Sequence, residues 1–354
     1  MKIIHTGDVH LGSVMRNLPG EKAALRKTEL MDGFRRLCTY ARETAVTAVL
    51  IAGDLFDGNT VSAELKKEVF ACVESAKPVC FFYVSGNHDD GFAPDFALPE
   101  NFYVFSNRRG WGSYDLPENV TVTGIDQKYL TPDQYAYLNL RQERFNILLM
   151  HGELGSDIAL ERLQNRGIDY LALGHIHLPT TVAARLDIRG RFRYCGCLEG
   201  RGFDECGKRG FFLLEVQNGK LLGEKFFSLA KREICQRGVD ISACESYYDV
   251  ERAAFFALQD VRAEDIVKLV LCGRYKPYLR KDIPLLTTRL SEKFFFAKVV
   301  DESRLFIDPA QYQNDLTDRG EFVREVGRYA LSDEEREEIL EVGLKALAGE
   351  DIDL

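Results

Sequence analysis

All six histidines of this 354-residue chain lie in its first half: His5, His10, His88, His151, His175 and His177. Each stands at or near the end of a short apolar run. Histidines recruited for packing would scatter over the whole length, and these do not. Asp8, Asp54 and Asn87 occupy equivalent places after other apolar runs. A fold that satisfies this pattern brings several strand ends together and gathers metal-ligating side chains there.

The apolar runs at residues 2–6, 47–52, 79–84, 145–150 and 170–173 read as buried strands. Between the first three lie two amphipathic stretches. Residues 21–44 place Ala24, Leu30, Phe34, Leu37 and Ala41 at roughly helical spacing, and 62–75 turn Leu65, Val69, Phe70 and Val73 inward behind a Ser62 cap. The order β-α-β-α-β predicts a parallel sheet, whose sites collect beyond the carboxyl ends of the strands. Further strands are expected at 102–106 and 120–125, with Gly110, Gly112 and Pro117 in turns between them. A short helix is expected at 157–166, and strands at 191–194, 210–216 and 221–227, the last two joined by an Asn218-Gly219 hairpin.

Composition shifts after Leu229. Strands at 234–241, 266–271 and 293–300 alternate with helices at 246–258 and 283–291, and helices at 322–330 and 332–348 follow. Ser332 and Glu335 open the last one as a capping box. The expected organisation is a first domain over 1–230, a smaller α/β domain over 231–330, and an acidic helix over 331–354 suited to docking a partner.

Charge sharpens the functional reading. The net charge is −9, but residues 331–354 carry seven of those charges, so the body is nearly neutral and a local basic groove for DNA is compatible with it. No apolar run reaches the ~18 residues of a membrane span, and the amino terminus turns polar too soon for a secretion signal. A cytoplasmic protein is expected, nucleoid-associated when on DNA. The nine cysteines form no Cys-x-x-Cys pair and read as reduced, mostly buried thiols.

Asp8 and His10, one residue apart, are expected on one side of an extended loop, and His175 with His177 repeats that spacing. Asp54 after Gly53 is placed to bridge two ions, and Asn87 and His151 complete the second site. Carboxylate, imidazole and amide ligands without thiolate suit Mn²⁺, Fe²⁺ or Zn²⁺. Two such ions activate a water and clamp a phosphoryl group. In the turn Gly86-Asn87-His88-Asp89, Gly86 is expected to supply a backbone conformation that a Cβ would resist. His5 is read either as a buried strand residue or as facing substrate. Asp90 receives no role.

Gly7-Asp8-Val9-His10, Gly53-Asp54-Leu55-Phe56-Asp57, Gly86-Asn87-His88-Asp89, His151-Gly152 and Gly174-His175-Ile176-His177 resemble, in order, the five motifs of calcineurin-like metallophosphoesterases. The opening, residues 3–12, is similar to that of SbcD-type DNA-repair nucleases, and residues 196–205 resemble the YhaO-like branch of that group. The resemblance implies a metallophosphoesterase β-sandwich flanked by helices, with a smaller C-terminal α/β capping domain and terminal helices. It implies a DNA exonuclease that hydrolyses phosphodiester bonds with a water activated between two divalent ions, manganese first and iron, zinc or magnesium as alternatives. It also implies a homodimer paired with an SbcC-type coiled-coil ABC ATPase.

Carried over residue by residue, Asp8, His10, Asp54 and His177 would hold one metal, and Asp54, Asn87, His151 and His175 the other. His88 would be the catalytic imidazole, and Asp57 and Asp89 would orient ligands. Some relatives carry His where Asp57 stands, and Tyr194-Cys195-Gly196 replaces a Tyr-Pro-Gly segment. Arg189, Arg191 and Arg193, read as one face of a strand with Arg185 nearby, are candidate DNA contacts. So are Arg274 and Lys276, in a cluster with Tyr275, Tyr278, Arg280 and Lys281. The rival readings are a phosphoesterase for nucleotides, cyclic nucleotides or phosphoproteins, and a non-catalytic scaffold for DNA ends.

Overall fold

The computed structural model describes residues 1–13, 15, 18–58, 61–89, 97–105 and 110–348. Asp90 and the last acids, Glu350, Asp351 and Asp353, lie outside the described residues. The chain divides into two compact units, Met1–Ile234 and Cys235–Leu354.

The first unit is built on two six-stranded sheets. In one, β1 (Lys2–Thr6), β2 (Ala48–Ala52), β3 (Cys80–Val84) and β4 (Phe102–Val104) run parallel, and β11 (Phe211–Gln217) and β12 (Lys220–Phe227) add antiparallel beside β1. In the other, β6 (Val120–Gly124), β7 (Phe145–His151), β8 (Tyr170–Gly174) and β10 (Arg191–Tyr194) run parallel. There β5 (Gly112–Leu116) and β9 (Ala184–Arg185) form antiparallel edges.

The sheets pack face to face through Ile3, Leu50, Phe82 and Val84 on one side and Val122, Ile147, Leu149 and Ala172 on the other. Helices α1 (Gly20–Glu43) and α2 (Ala63–Ser75) cover the outer face of the first sheet through Phe34, Leu37, Val69 and Val73. Short α3 (Leu160–Leu163) and neighbouring loops cover the second. Strands buried on both faces have no polar side to alternate, which is why they read as continuous apolar runs.

Local signals explain most boundaries. Ser62 accepts from Leu65 N at 3.2 Å and starts α2. Asn218 (φ 50) and Gly219 (φ 71) form the hairpin between β11 and β12. Two differences stand out. Gly112 lies within strand β5 rather than in a turn; the turn is Glu118-Asn119, both at positive φ. Only Leu160–Leu163 of the expected 157–166 helix is helical.

The second unit holds a three-stranded sheet ordered β13 (Ile234–Asp240), β14 (Ile266–Cys272), β16 (Phe296–Asp301), with a two-residue pairing of β15 (Arg274–Tyr275) and β17 (Arg304–Leu305). Helices α4 (Tyr247–Ala257) and α5 (Ile283–Lys293) pack on the sheet through Val250, Ala254, Leu286 and Leu290. Helices α6 (Asp318–Val326) and α7 (Asp333–Ala348) pair through Val323, Val326, Leu340 and Leu344. Ser332 and Glu335 make the expected capping box. All nine cysteines are free thiols. No helix among the described residues is long and apolar enough to cross a membrane.

His5 belongs to this core. It is fully buried, with Nδ1 3.0 Å from the Tyr170 hydroxyl and Nε2 3.2 Å from Leu173 O. Burial pushes its pKa down to about 3. The folded value lies below the unfolded one, so acid protonates the unfolded chain first. This contribution to stability is complete above about pH 6.5 and is lost progressively as pH falls toward 3. By pH 5 the loss is about 2 kcal/mol. A His5→Gln variant is expected to lose correspondingly less stability than wild type between pH 7 and pH 5, read from urea midpoints at the two pH values. Equal losses would show that His5 does not titrate this way.

Candidate metal centre

Register sets the site. Thr6 pairs beside Ile51 and Ile51 beside Tyr83, so β1, β2 and β3 end level, and His151 ends β7 beside Gly174 of β8. The turns that follow are tied together by backbone bonds, Asp8 N to Gly53 O at 3.0 Å and His10 N to Asp54 O at 2.9 Å. The loop after β1 is not extended. Asp8 (φ 47), His10 (φ 49), Asp54 (φ 50) and His175 (φ 95) all take left-handed conformations, which L-residues adopt only where their surroundings hold them there.

Gly53 (φ 85) also lies where a Cβ would come within 2.2 Å of His151 Nδ1. Gly86 is needed for a different reason from the one expected. Its φ is not positive, but a Cβ would fall 2.1 Å from Asp54 Oδ1.

Asp8, His10, Asp54 and His177 bring their ligand atoms within 4.8 Å of one another, and the first three are buried. Their protons can be assigned from partners. His177 Nδ1 donates to Glu205 Oε1 at 2.7 Å, so its Nε2 carries a lone pair. That lone pair faces His10 Nε2 at 3.1 Å. His10 Nδ1 lies 3.4 Å from Asp57 Oδ1 but makes no hydrogen bond there. His151 Nδ1 donates to Ala52 O at 2.8 Å, and its Nε2 faces Asn87 Oδ1 at 2.9 Å. His175 Nδ1 approaches the same amide oxygen at 3.1 Å. Asp54 Oδ2 lies between the two groups, 3.6 Å from His10 Nε2 and 3.5 Å from His151 Nε2.

At His151 Nε2, acceptor thus confronts acceptor, the Asn87 and Asp54 oxygens, with no proton between them. This is unfavourable for a protein alone and is what divalent cations resolve. The donor set of carboxylate, imidazole and amide fits two such ions, with Asp54 shared.

The electrostatics agree. Burial, with Asp54 adding, raises the Asp8 carboxyl well above the usual range. Burial also lowers His10 and His151, keeping both imidazoles neutral and fit to ligate.

His10, Asp57 and His88 form a second close group, but of another kind. His88 Nδ1 lies 3.0 Å from Asp57 Oδ1, so two imidazole rings bracket one carboxylate. The His10 contact chiefly, with Ser13, holds Asp57 below the usual carboxylate range against the opposing effect of burial. His88 is 46% exposed, and its backbone N–H donates to Asp54 Oδ1 at 2.9 Å. Asp89 accepts from Leu55 N, Phe56 N and Gly86 N at 3.2, 2.9 and 3.0 Å, pinning the β3 turn to the β2 turn. Burial pushes its pKa up to about 6.

Three features were missed by the sequence reading. Arg201 and Glu205 sit against His177 from a loop 24 and 28 residues away. Arg209 is almost wholly buried behind them. Cys195 donates its N–H to Leu173 O at 3.0 Å, a bond the Pro of a Tyr-Pro-Gly segment could not make.

Arg189, Arg191 and Arg193 do not all lie on one strand face, because Arg189 falls outside β10. Arg189 lies in the bend before β10, bound to Asp169 at 2.7 Å. Arg193 is 7% exposed and bound to Glu224 at 2.6 Å. Arg191 is 3.6 Å from the same carboxylate and 47% exposed. Arg274 pairs with Glu337 of α7 at 2.7 Å, and Lys276 pairs with Glu245.

Known proteins were compared with the chain. The metallophosphoesterase YhaO of Bacillus subtilis, described as uncharacterized, is 26% identical over 306 residues, covering 79% of this chain and 73% of that protein. The DNA double-strand break repair protein Mre11 of Methanopyrus kandleri is 27% identical over 265 residues, 64% of this chain and 56% of that protein. The SbcD component of the nuclease SbcCD of Staphylococcus epidermidis is 22% identical over 272 residues, 65% and 70% of the two chains. The family model for calcineurin-like phosphoesterases matches residues 1–179, a span that contains every ligand candidate and His88. The protein therefore belongs to the calcineurin-like phosphoesterases, hydrolases built around a dinuclear metal site.

Proposed function

We propose that this phosphoesterase is a metal-dependent DNA nuclease of the SbcD type. The observation that carries the metal part of the reading is Asp54 Oδ2, lying between His10 Nε2 and His151 Nε2. Asp8, His10, Asp54 and His177 hold one ion, and Asp54, Asn87, His151 and His175 the other. Manganese is the first choice for this nitrogen and oxygen donor set, with iron, zinc or magnesium as alternatives. When bound, the two cations supply Lewis acidity toward a phosphoryl group and lower the pKa of water.

The rest is the chain's own work. Asp57 accepts the His88 Nδ1 proton and fixes the ring, so Nε2 is the atom presented to substrate. Protonated, that nitrogen donates to the departing sugar oxygen; neutral, it accepts a proton. Asp89 keeps the Asn87-His88 turn in register with Asp54.

Relatives named as a DNA double-strand break repair protein and as part of a nuclease support DNA as substrate. We also propose a homodimer that works with an SbcC-type ATPase in DNA repair. Among the five candidate basic residues we assign backbone-phosphate contact first to Arg191 and Arg274. They are about half exposed and best able to exchange a carboxylate for a phosphate. Arg189, Arg193 and Lys276 are secondary.

One observation favours a second reading. All five cations already face carboxylates, which suits a small phosphodiester better than a long anion. The two readings separate in one experiment. The Mn²⁺-loaded protein is offered linear duplex DNA, single-stranded DNA and an aryl phosphodiester at rising salt. The nuclease reading expects cleavage of DNA that weakens steeply with salt. Hydrolysis of the aryl diester with no DNA binding at low salt would overturn it in favour of the small substrate.

A further inference from the structure

We propose that Glu205 is a positioning residue of the metal centre, fixing the tautomer and orientation of His177, and that Arg201 and Arg209 hold it there. The inference rests on the bimetal reading above and extends it into a segment, residues 196–209, beyond the part of the chain matched by the family model.

Glu205 is 2% exposed. A buried carboxylate is costly unless its oxygens are satisfied, and here they are. Oε1 takes the His177 Nδ1 proton at 2.7 Å and Arg201 Nη2 at 2.7 Å. Oε2 takes the Arg201 backbone N–H at 2.7 Å and the Cys197 thiol at 3.6 Å. Arg201 Nη2 also comes within 3.1 Å of His177 Nδ1. These are two donors converging on one oxygen, which requires that Nδ1 carry a proton.

Arg209 then staples the backbone. Its guanidinium donates to His177 O at 3.0 Å, Glu205 O at 3.0 Å and Cys206 O at 2.7 Å. It thereby fixes the distance between the carboxylate-bearing residue and the imidazole-bearing one.

The near end of the segment is anchored separately. Glu199 accepts from Arg36 at 2.6 Å and from Lys231 N at 2.9 Å, and Arg26 donates to Gly200 O at 2.7 Å. Arg26 and Glu29 form a buried pair on α1, and Arg232 binds the same Glu29. A loop with little regular secondary structure is thus tied to α1 at one end and to His177 at the other. Carboxylate–histidine pairs of this kind set ligand orientation and basicity.

The test reads metal binding rather than turnover. Metal-stripped wild type and Glu205→Gln are titrated calorimetrically with Mn²⁺. Wild type is expected to take two equivalents. Glu205→Gln is expected to keep one near wild-type affinity and to bind the other about 10–100-fold more weakly. Because this change strands the Arg201 charge, the Arg201→Gln/Glu205→Gln pair is measured alongside and is expected to show the same split.

A wild type that binds fewer than two ions brings down the bimetal reading and this inference together. A wild type that binds two, with variants that bind both unchanged, overturns the positioning role alone. One further readout needs no variant. In ¹⁵N-histidine spectra of wild type loaded with diamagnetic Mg²⁺, His177 is expected to carry its proton on Nδ1. An Nε2-protonated ring in the metal-free protein also overturns the role.

Discussion

His88→Asn is expected to lower the turnover of phosphodiester cleavage by about 10²–10⁴-fold, the usual contribution of a positioned general acid or base, while two metal equivalents stay bound. The separation follows from the geometry. His88 shows the centre its backbone N–H, which bonds Asp54 Oδ1, and any residue supplies that group. Its ring packs edge-on against the His10 ring, 4.9 Å between centroids, with Nδ1 3.0 Å from Asp57. The side chain is half exposed, so its loss opens no cavity and should change stability by less than about 0.5 kcal/mol. Single-turnover rates, metal content and thermal midpoints are measured on the same preparation. A variant that keeps its metals and cleaves within a few-fold of wild type would remove His88 from the chemistry. A variant that loses its metals would move it into the ligand set.

The candidate ligands were legible because parallel strands deliver their residues in a fixed manner. Each apolar run ends, and the polar residue just beyond it belongs to the site. This holds for Asp8, Asp54, Asn87, His151 and His175 without any knowledge of distant contacts. It fails wherever a long-range partner decides the meaning of a residue. The helical pattern of α1 marked Leu30, Phe34 and Leu37 as inward, yet Arg26 and Glu29 are buried too. They serve Gly200 and Arg232, more than 170 residues away.

Glu205 reads as one acid among many until the loop returns it to His177. The arginines around β10 show the converse error. Alternation suggested one cationic face, but Asp169 and Glu224 come from other strands or turns to claim the charges. Gly86 was identified correctly as a position that excludes a Cβ, but for the wrong reason. Chain conformation is local information, and the approach of Asp54 to within 2.1 Å of that Cβ position is not.

Asp54→Asn should abolish activity and yet stabilise the metal-free protein. In wild type, Asp54 Oδ2 is an acceptor set 3.5 Å from another, His151 Nε2, and it adds to the burial that holds the Asp8 carboxyl high. An asparagine can keep Oδ1 as acceptor for His88 N–H and turn its NH₂ toward that imidazole. One acceptor–acceptor contact becomes a hydrogen bond, and one buried negative charge disappears. The expected gain in EDTA is about 1 kcal/mol, from one net hydrogen bond.

In Mn²⁺ the order reverses. Wild type gains about 2.7 kcal/mol for each ion present at a hundredfold excess over its dissociation constant, and the variant, deprived of the shared ligand, gains little. Loss of several kcal/mol of charge stabilisation lowers the cleavage rate about a thousandfold or more. Urea midpoints in EDTA and in Mn²⁺ check the crossing. If Asp54→Asn is the less stable protein in both, Asp54 is a structural acid whose carboxylate the fold itself requires. A metal ligand, unlike a structural acid, makes the same substitution favourable without metal and unfavourable with it.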